Sequence, residues 1–90
     1  MNAIKEIYHP NAYLQRIKNV KSGLKARTMI LTVLDKGPSE AVAIAKATGR
    51  SYRVVMHHLR LLEPEGTISR KGKRHYFWSL TGVGQRRLVD

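Results

Sequence analysis

The sequence predicts a mainly α-helical domain that closes with a β-hairpin. Three segments carry apolar residues at helical spacing, and turns containing glycine or proline separate them. Two short stretches rich in β-branched and aromatic residues follow, on either side of a glycine. A chain of 90 residues, 42% of them hydrophobic, has room for one domain with a modest core. We therefore expect three core helices, a two-stranded hairpin, and extra helical segments at both ends.

Residues 1–22 are predicted to be an N-terminal extension, and residues 23–90 the compact domain. Pro10 interrupts the extension, and Asn11 is a candidate cap for a helix after it. That helix would carry a narrow apolar stripe at a spacing of three, formed by Leu14, Ile17 and Val20. We expect it to lie on the domain or to contribute to a dimer.

The first two core helices are predicted on either side of Gly37-Pro38. The first covers Leu24–Lys36, with its core stripe at Ile30, Leu31 and Leu34. The second is short and begins with Ser39 as N-cap and Glu40 in its first turn. It ends at Gly49 and has a face of small residues, Ala41, Ile44, Ala45 and Ala47.

The third helix is predicted from its cap at Ser51 to about Glu63. Val55, Leu59 and Leu62 recur at helical spacing and should face the core. The second and third helices, joined by a short turn containing glycine, form a helix-turn-helix.

Two strands are predicted over Thr67–Arg70 and His75–Leu80, with Gly72 at the turn. Alternation along the second strand assigns Tyr76 and Trp78 to the core face and Phe77 to the other face. Thr81 is a candidate cap for a last helix, which would include Val83, Leu88 and Val89.

The charge of the chain favours a polyanionic partner. Lys and Arg number 17 against 6 Asp and Glu, which gives a net charge of +11, and each segment of the chain is net positive. DNA, RNA and an anionic membrane are all candidates at this point.

No cysteine is present, so disulfides and thiolate metal sites are excluded. No apolar run is long enough to span a membrane, and we expect a cytoplasmic protein without a membrane partner.

Residues 24–88 resemble a winged helix-turn-helix domain of the ArsR/MarR repressor type, in the style of a small archaeal regulator. Four pieces carry the resemblance: Ile30-Leu31 with Leu34; Ile44-Ala45 before Gly49; His58-Leu59 with Leu62 before Gly66; and Trp78-Ser79-Leu80-Thr81 with Gly84 and Leu88. The resemblance implies binding to double-stranded DNA, with a recognition helix at about 51–63 in the major groove and a wing at about 67–80 on the flanking backbone or minor groove. A dimeric transcriptional regulator, associated with the nucleoid when bound to DNA, is the function it implies.

The residue chemistry agrees with this hypothesis. If the apolar stripe of the third helix faces inward, its outer side carries polar, basic and aromatic groups. Arg53 is the leading candidate for a base edge, because its guanidinium matches guanine O6 and N7. The candidate residues of the helix are Arg50, Ser51, Tyr52, Arg53, Met56, His57 and Arg60. The candidate residues of the wing are Arg70, Lys71, Lys73 and Arg74.

Other functions stay open. The chain could coat DNA without sequence preference, or it could be an RNA- or protein-binding module on the same scaffold. The aromatic residues at 76–78 could stack on single-stranded bases.

His57 and His58 are adjacent in a helix and cannot easily chelate one ion, so we expect no metal and no cofactor. No phosphate loop, HExxH pattern or activated nucleophile is visible, and we expect no enzymatic activity. No small-molecule ligand is evident, and an effector would have to bind at a dimer interface. We expect a homodimer.

Overall fold

Three helices pack around one core, and a small antiparallel sheet closes one side of it. The structure, a computed structural model, describes residues 8–15 and 18–82. Helix α1 covers Lys21–Asp35, α2 covers Ala41–Thr48 and α3 covers Tyr52–Leu62. The strands are β1 (Ser39–Glu40), β2 (Ile68–Lys71) and β3 (Phe77–Leu80), in the order β1-β3-β2.

The sheet has three strands where the sequence predicted two. Ser39 pairs with Trp78 and Glu40 with Phe77, so both residues are extended rather than helical. Ser39 is therefore not the N-cap of α2. Glu40 occupies that position and its side chain makes no cap hydrogen bond. The prediction failed because pairing with β3, which lies far along the chain, satisfies this backbone better than a local cap.

The predicted core stripes are confirmed. Val55, Leu59 and Leu62 of α3 are completely buried, as are Ile30 and Leu31 of α1 and Ile44 of α2. Trp78 of β3 is 1% exposed and joins the same cluster. Ala47 of α2, predicted on the small-residue face, is exposed instead.

The described residues before α1 do not form the predicted helix. Pro10–Ala12 is a single 3-10 turn, and residues 13–15 and 18–20 are not helical. Asn19 explains this, because its side chain accepts from the Leu14 N–H at 2.7 Å and donates to the Leu14 carbonyl at 3.0 Å. The backbone of Leu14 is thereby satisfied without a helix. Leu14 is 5% exposed and lies in the core cluster, while Val20 is 59% exposed.

Two expectations fall outside the described residues. One is the place of Ile17 on the apolar stripe, and the other is the helix after Thr81, with Val83, Leu88 and Val89. Thr81 itself closes the sheet, since its N–H donates to the Thr67 carbonyl at 2.9 Å and its hydroxyl to the Gly66 carbonyl at 2.6 Å.

Candidate nucleic-acid interface

Helix α3 begins at a well-formed cap. The Ser51 hydroxyl accepts a hydrogen bond from the Val54 N–H at 3.1 Å, as the sequence predicted for an N-cap. The buried stripe at Val55, Leu59 and Leu62 turns the opposite side of the helix to the surface. Tyr52, Arg53 and Arg60 are exposed there.

The exposed side of α3 and the hairpin line one groove of about 280 Å³, which we call the wing groove. Tyr52, Met56 and Arg60 contribute from α3, at a spacing of four that keeps them on one face. The hairpin contributes Arg70, Arg74, His75, Tyr76 and Trp78, and the start of α2 adds Glu40, Ala41 and Val42. Five of the predicted site residues therefore share one concave surface.

The cations near this groove are of two kinds. Arg53, Arg60 and Arg74 are exposed and have no hydrogen-bond or ion-pair partner within the described parts of the chain, and the same holds for Lys73 at the tip. No carboxylate of the described residues pairs with these four charges.

Arg70 forms an ion pair and cation–π contacts with residues of its own chain. Its Nε lies 3.3 Å from Glu63 Oε2, just beyond the end of α3. Its guanidinium lies 4.8 Å from the centre of the Tyr76 ring and 5.5 Å from that of Trp78. These are cation–π distances. Arg70 thus connects the hairpin to the end of α3, a role that the sequence-based assignment to a DNA contact did not foresee.

Three other predicted site residues lie away from the wing groove. Lys71 pairs in register with Phe77, on the exposed face of the sheet opposite Trp78. Arg50 is half-buried, and its Nη2 lies 3.5 Å from Met29 Sδ. His57 lines a different cavity, between α3 and α1. Contact of these three with DNA stays a prediction from the sequence.

Two side chains differ in burial from what the sequence predicted. Tyr76, expected in the core beside Trp78, is 39% exposed. It precedes β3 and is covered by Arg70 rather than by a helix. Met56, expected on the solvent-exposed face of the helix, is half-buried and packs against the core.

Sequence reasoning missed a buried polar pair, Arg27 and His58. Arg27 is 3% exposed, and its Nε donates to the Ala12 carbonyl at 2.6 Å. Its Nη1 donates to His58 Nδ1 at 3.3 Å and its Nη2 to Asn19 Oδ1 at 3.2 Å. The signal was present, because Arg27 precedes Ile30, Leu31 and Leu34 by three, four and seven residues and so lies on the core stripe of α1.

Burial lowers the pKa of both groups. Desolvation lowers the pKa of Arg27, with Glu65 acting in the opposite direction. Desolvation, followed by Arg27, His57 and Arg50, lowers the pKa of His58 to about 4. His58 is therefore neutral at pH 7, which allows its Nδ1 to accept from Arg27.

The described residues contain no group of three or more His, Asp or Glu side chains arranged to hold a metal ion. Within the same residues, none of the helices combines the length and the apolar character needed to cross a membrane.

Solved structures with this arrangement are winged helix-turn-helix proteins. One is the homodimeric winged helix-turn-helix DNA-binding domain of a possible ArsR-family transcriptional regulator from Mycobacterium bovis. It is 26% identical, with a TM-score of 0.63 over 71% of this chain and 60% of that one. ZitR of Lactococcus lactis, solved as a point mutant, is 22% identical, with a TM-score of 0.69 over 93% of this chain and 57% of that one. A transcriptional regulator from Thermotoga maritima is 22% identical, with a TM-score of 0.59 over 67% of this chain and 44% of that one.

These similarities confirm the winged helix-turn-helix fold and the resemblance to ArsR/MarR-type regulators. The chain spans roughly half the length of the compared proteins, between 44% and 60% of each. No protein-family model matches the chain, and no curated protein matches it in sequence.

Proposed function

We propose that this protein uses its winged helix-turn-helix fold to bind double-stranded DNA, and that it acts as a homodimeric transcriptional regulator. The observation that carries the proposal is the wing groove, where the exposed side of α3 meets the hairpin. Arg53, Arg60 and Arg74 lie at or beside this surface without partners in the described chain. Such unpaired cations favour a polyanion, because phosphates neutralise them and release counterions.

The shape favours duplex DNA over duplex RNA. The major groove of B-DNA admits an α-helix, whereas the deep, narrow major groove of A-form RNA does not. With α3 in the major groove, Tyr52 and Arg53 at its start would meet base edges or phosphates. Arg74 and Lys73 of the hairpin would meet the flanking backbone.

A dimer would extend the site. One such domain reads few base pairs, and two-fold pairing doubles the number of contacts. The Mycobacterium bovis domain is homodimeric, which supports the same arrangement here. Leu14 is buried within the protomer, so of the described candidates only the exposed Val20 remains available to a partner.

The proposal is tested by selecting bound duplexes from a random pool and measuring the mass of the complex. We expect a recurrent two-fold symmetric site and two chains per duplex. Equal affinity for unrelated duplexes, weakened uniformly by salt, would instead show a DNA-coating protein. Stronger binding to RNA would contradict the proposal.

Arg53→Ala tests whether Arg53 contributes to recognition of the DNA sequence. Binding to the selected site should weaken by about 1–3 kcal/mol, and discrimination should relax at one base position. Fluorescence anisotropy with matched and mismatched duplexes measures both effects. The control is Lys36→Ala, which removes an exposed cation at the end of α1 that lines neither the wing groove nor the cavity between α3 and α1. Similar losses for the two variants would show that Arg53 contributes only general charge.

A further inference from the structure

The wing groove presents apolar side chains as well as cations. Val42, near the start of α2, is 54% exposed, and Tyr52, the first residue of α3, is 55% exposed. Both line the groove together with the half-buried Met56. The Tyr52 side chain has no hydrogen bond and no ring contact with another residue of the described chain. We call Val42, Tyr52 and Met56 the apolar patch.

The aromatic residues that the hairpin contributes to the groove are covered by the protein. Trp78 is buried in the core, and the guanidinium of Arg70 lies 4.8 Å from the centre of the Tyr76 ring. The ring of Tyr52 and the side chain of Val42 have no such cover among the described residues. They are therefore the apolar groups of the groove that are most open to a ligand.

The surroundings of the apolar patch are mainly cationic. Arg60 and Arg74 line the same groove, and Arg53 follows Tyr52 in the first turn of α3. The one acidic residue among the described groove residues, Glu40, lies 3.7 Å from Nδ1 of His75. A ligand that complements this surface needs negative charge around it and an apolar group at its centre.

The bases of DNA differ in what they can offer to such a patch. Of the four, thymine alone presents a methyl group in the major groove, at C5. Adenine is usually read by Asn or Gln, and neither α3 nor the described lining of the groove contains these residues. An A·T pair is therefore best recognised here through the methyl group of its thymine.

We propose that the apolar patch reads thymine through its C5-methyl group, and that Tyr52 and Val42 determine this specificity. This inference rests on the proposed binding of duplex DNA with α3 in the major groove. It assigns the patch a different task from the arginines around it, because phosphates and guanine attract charge whereas the methyl group gains only from apolar contact.

The test replaces each thymine of the selected duplex in turn by deoxyuridine, which lacks only the C5-methyl group and keeps the same base pairing. At one or more thymines of each half-site, affinity should fall about fourfold, which corresponds to about 0.8 kcal/mol for a buried group of this size. Deoxyuridine at thymines outside the half-sites should leave the affinity unchanged. Fluorescence anisotropy measures each ratio of thymine to deoxyuridine affinity.

Variants identify the residues that contact the methyl group. Tyr52→Ala and Val42→Ser should each bring the ratio of thymine to deoxyuridine affinity close to one, because they remove the apolar contact. Tyr52→Phe should keep the ratio, since the ring remains. Phe77→Ala is the matched control, because Phe77 is an aromatic residue of similar exposure that does not line the wing groove.

The outcomes separate this inference from the proposed function. A selected site without thymine in its half-sites, or one in which no deoxyuridine weakens binding, would overturn the inference and leave DNA binding intact. An unchanged ratio in both Tyr52→Ala and Val42→Ser would also overturn it. Failure to bind any duplex would contradict the proposed function itself.

Discussion

Arg70 and Lys71 are adjacent in β2, and their side chains leave the strand on opposite faces of the sheet. Arg70 pairs in register with the buried Trp78, and Lys71 with the exposed Phe77. Arg70 therefore meets aromatic rings and Glu63, whereas Lys71 faces solvent. Strand alternation therefore gives these two adjacent cations different environments: Arg70 makes contacts within the protein, and Lys71 is exposed to solvent.

Arg70 and Arg74 make a matched pair for testing this division, because both line the wing groove and only Arg74 lacks a partner in the described chain. Arg74→Gln should lower the salt dependence of DNA binding by about one unit of slope and leave unfolding unchanged. Arg70→Gln should cost about 1 kcal/mol of stability, through loss of a partly exposed ion pair and a cation–π contact, with the slope unchanged. Affinity measured against salt, together with urea denaturation, separates the two roles. A reduced slope for Arg70→Gln would show that Arg70 contacts phosphate.

His58 should make the stability of the protein depend on pH. Its pKa is about 4 in the folded protein, against 6.5 for an unperturbed histidine. The unfolded chain therefore binds the proton first as the pH falls. Stability is lost from about pH 6.5 downward, and the loss is complete near pH 4. Its size is roughly 3 kcal/mol by the usual conversion of a pKa difference into free energy.

The measurement is urea denaturation at pH 7, 5 and 4. His58→Gln should remove most of the pH dependence in this window, since an amide does not titrate. His57→Gln, at the exposed neighbouring position, should retain it. A similar pH profile for the wild type and the His58→Gln variant would show that another group is responsible.

At the scale of elements, the hairpin depends on its turn. Gly72 has φ +116°, a conformation that L-amino-acid side chains rarely adopt, and a Cβ there would lie 2.5 Å from the His75 carbonyl oxygen. That oxygen belongs to the backbone and cannot move without reshaping the turn. The position of the basic tip relative to α3 therefore requires glycine.

Gly72→Ala should destabilise the protein by about 1–3 kcal/mol and weaken DNA binding, because the tip must change shape. Gly82→Ala is the control, since Gly82 has no positive φ and a Cβ there meets no atom of the described residues within 4 Å. Thermal unfolding and anisotropy with the selected duplex measure the two effects. Equal behaviour of the two variants would show that the turn conformation is not required.

The surface of helix α3 lines two separate concavities. Tyr52, Met56 and Arg60 line the wing groove, whereas Val54 and Leu61 line the cavity between α3 and α1. Residues 51–63 were predicted correctly as a capped amphipathic helix, because its cap and its core stripe are local patterns. How its outer side is divided depends on the hairpin and on the residues before α1, both distant in sequence.

For the whole molecule, the excess of cations predicts strong salt dependence. The net charge is +11, and several cations near the wing groove have no partner in the described chain. If binding neutralises about six phosphates, the logarithm of the binding constant should fall with the logarithm of the salt concentration at a slope near −5. Titrations between about 50 and 200 mM salt measure this slope. A slope near zero would contradict an interface with the phosphate backbone.

Local patterns determined the three helices, the cap at Ser51, the core at Leu59 and Trp78, and the cationic hairpin, because helix periodicity and strand alternation depend only on near neighbours. The tertiary structure decided which side chains and backbone groups find partners. Ser39 pairs with Trp78 in the sheet, the Asn19 side chain accepts from the Leu14 N–H where a helix was predicted, and Arg70 forms an ion pair with Glu63. The physical reason is that hydrogen bonds and ion pairs between distant segments depend on where the whole chain places their partners, which no window of neighbouring residues contains.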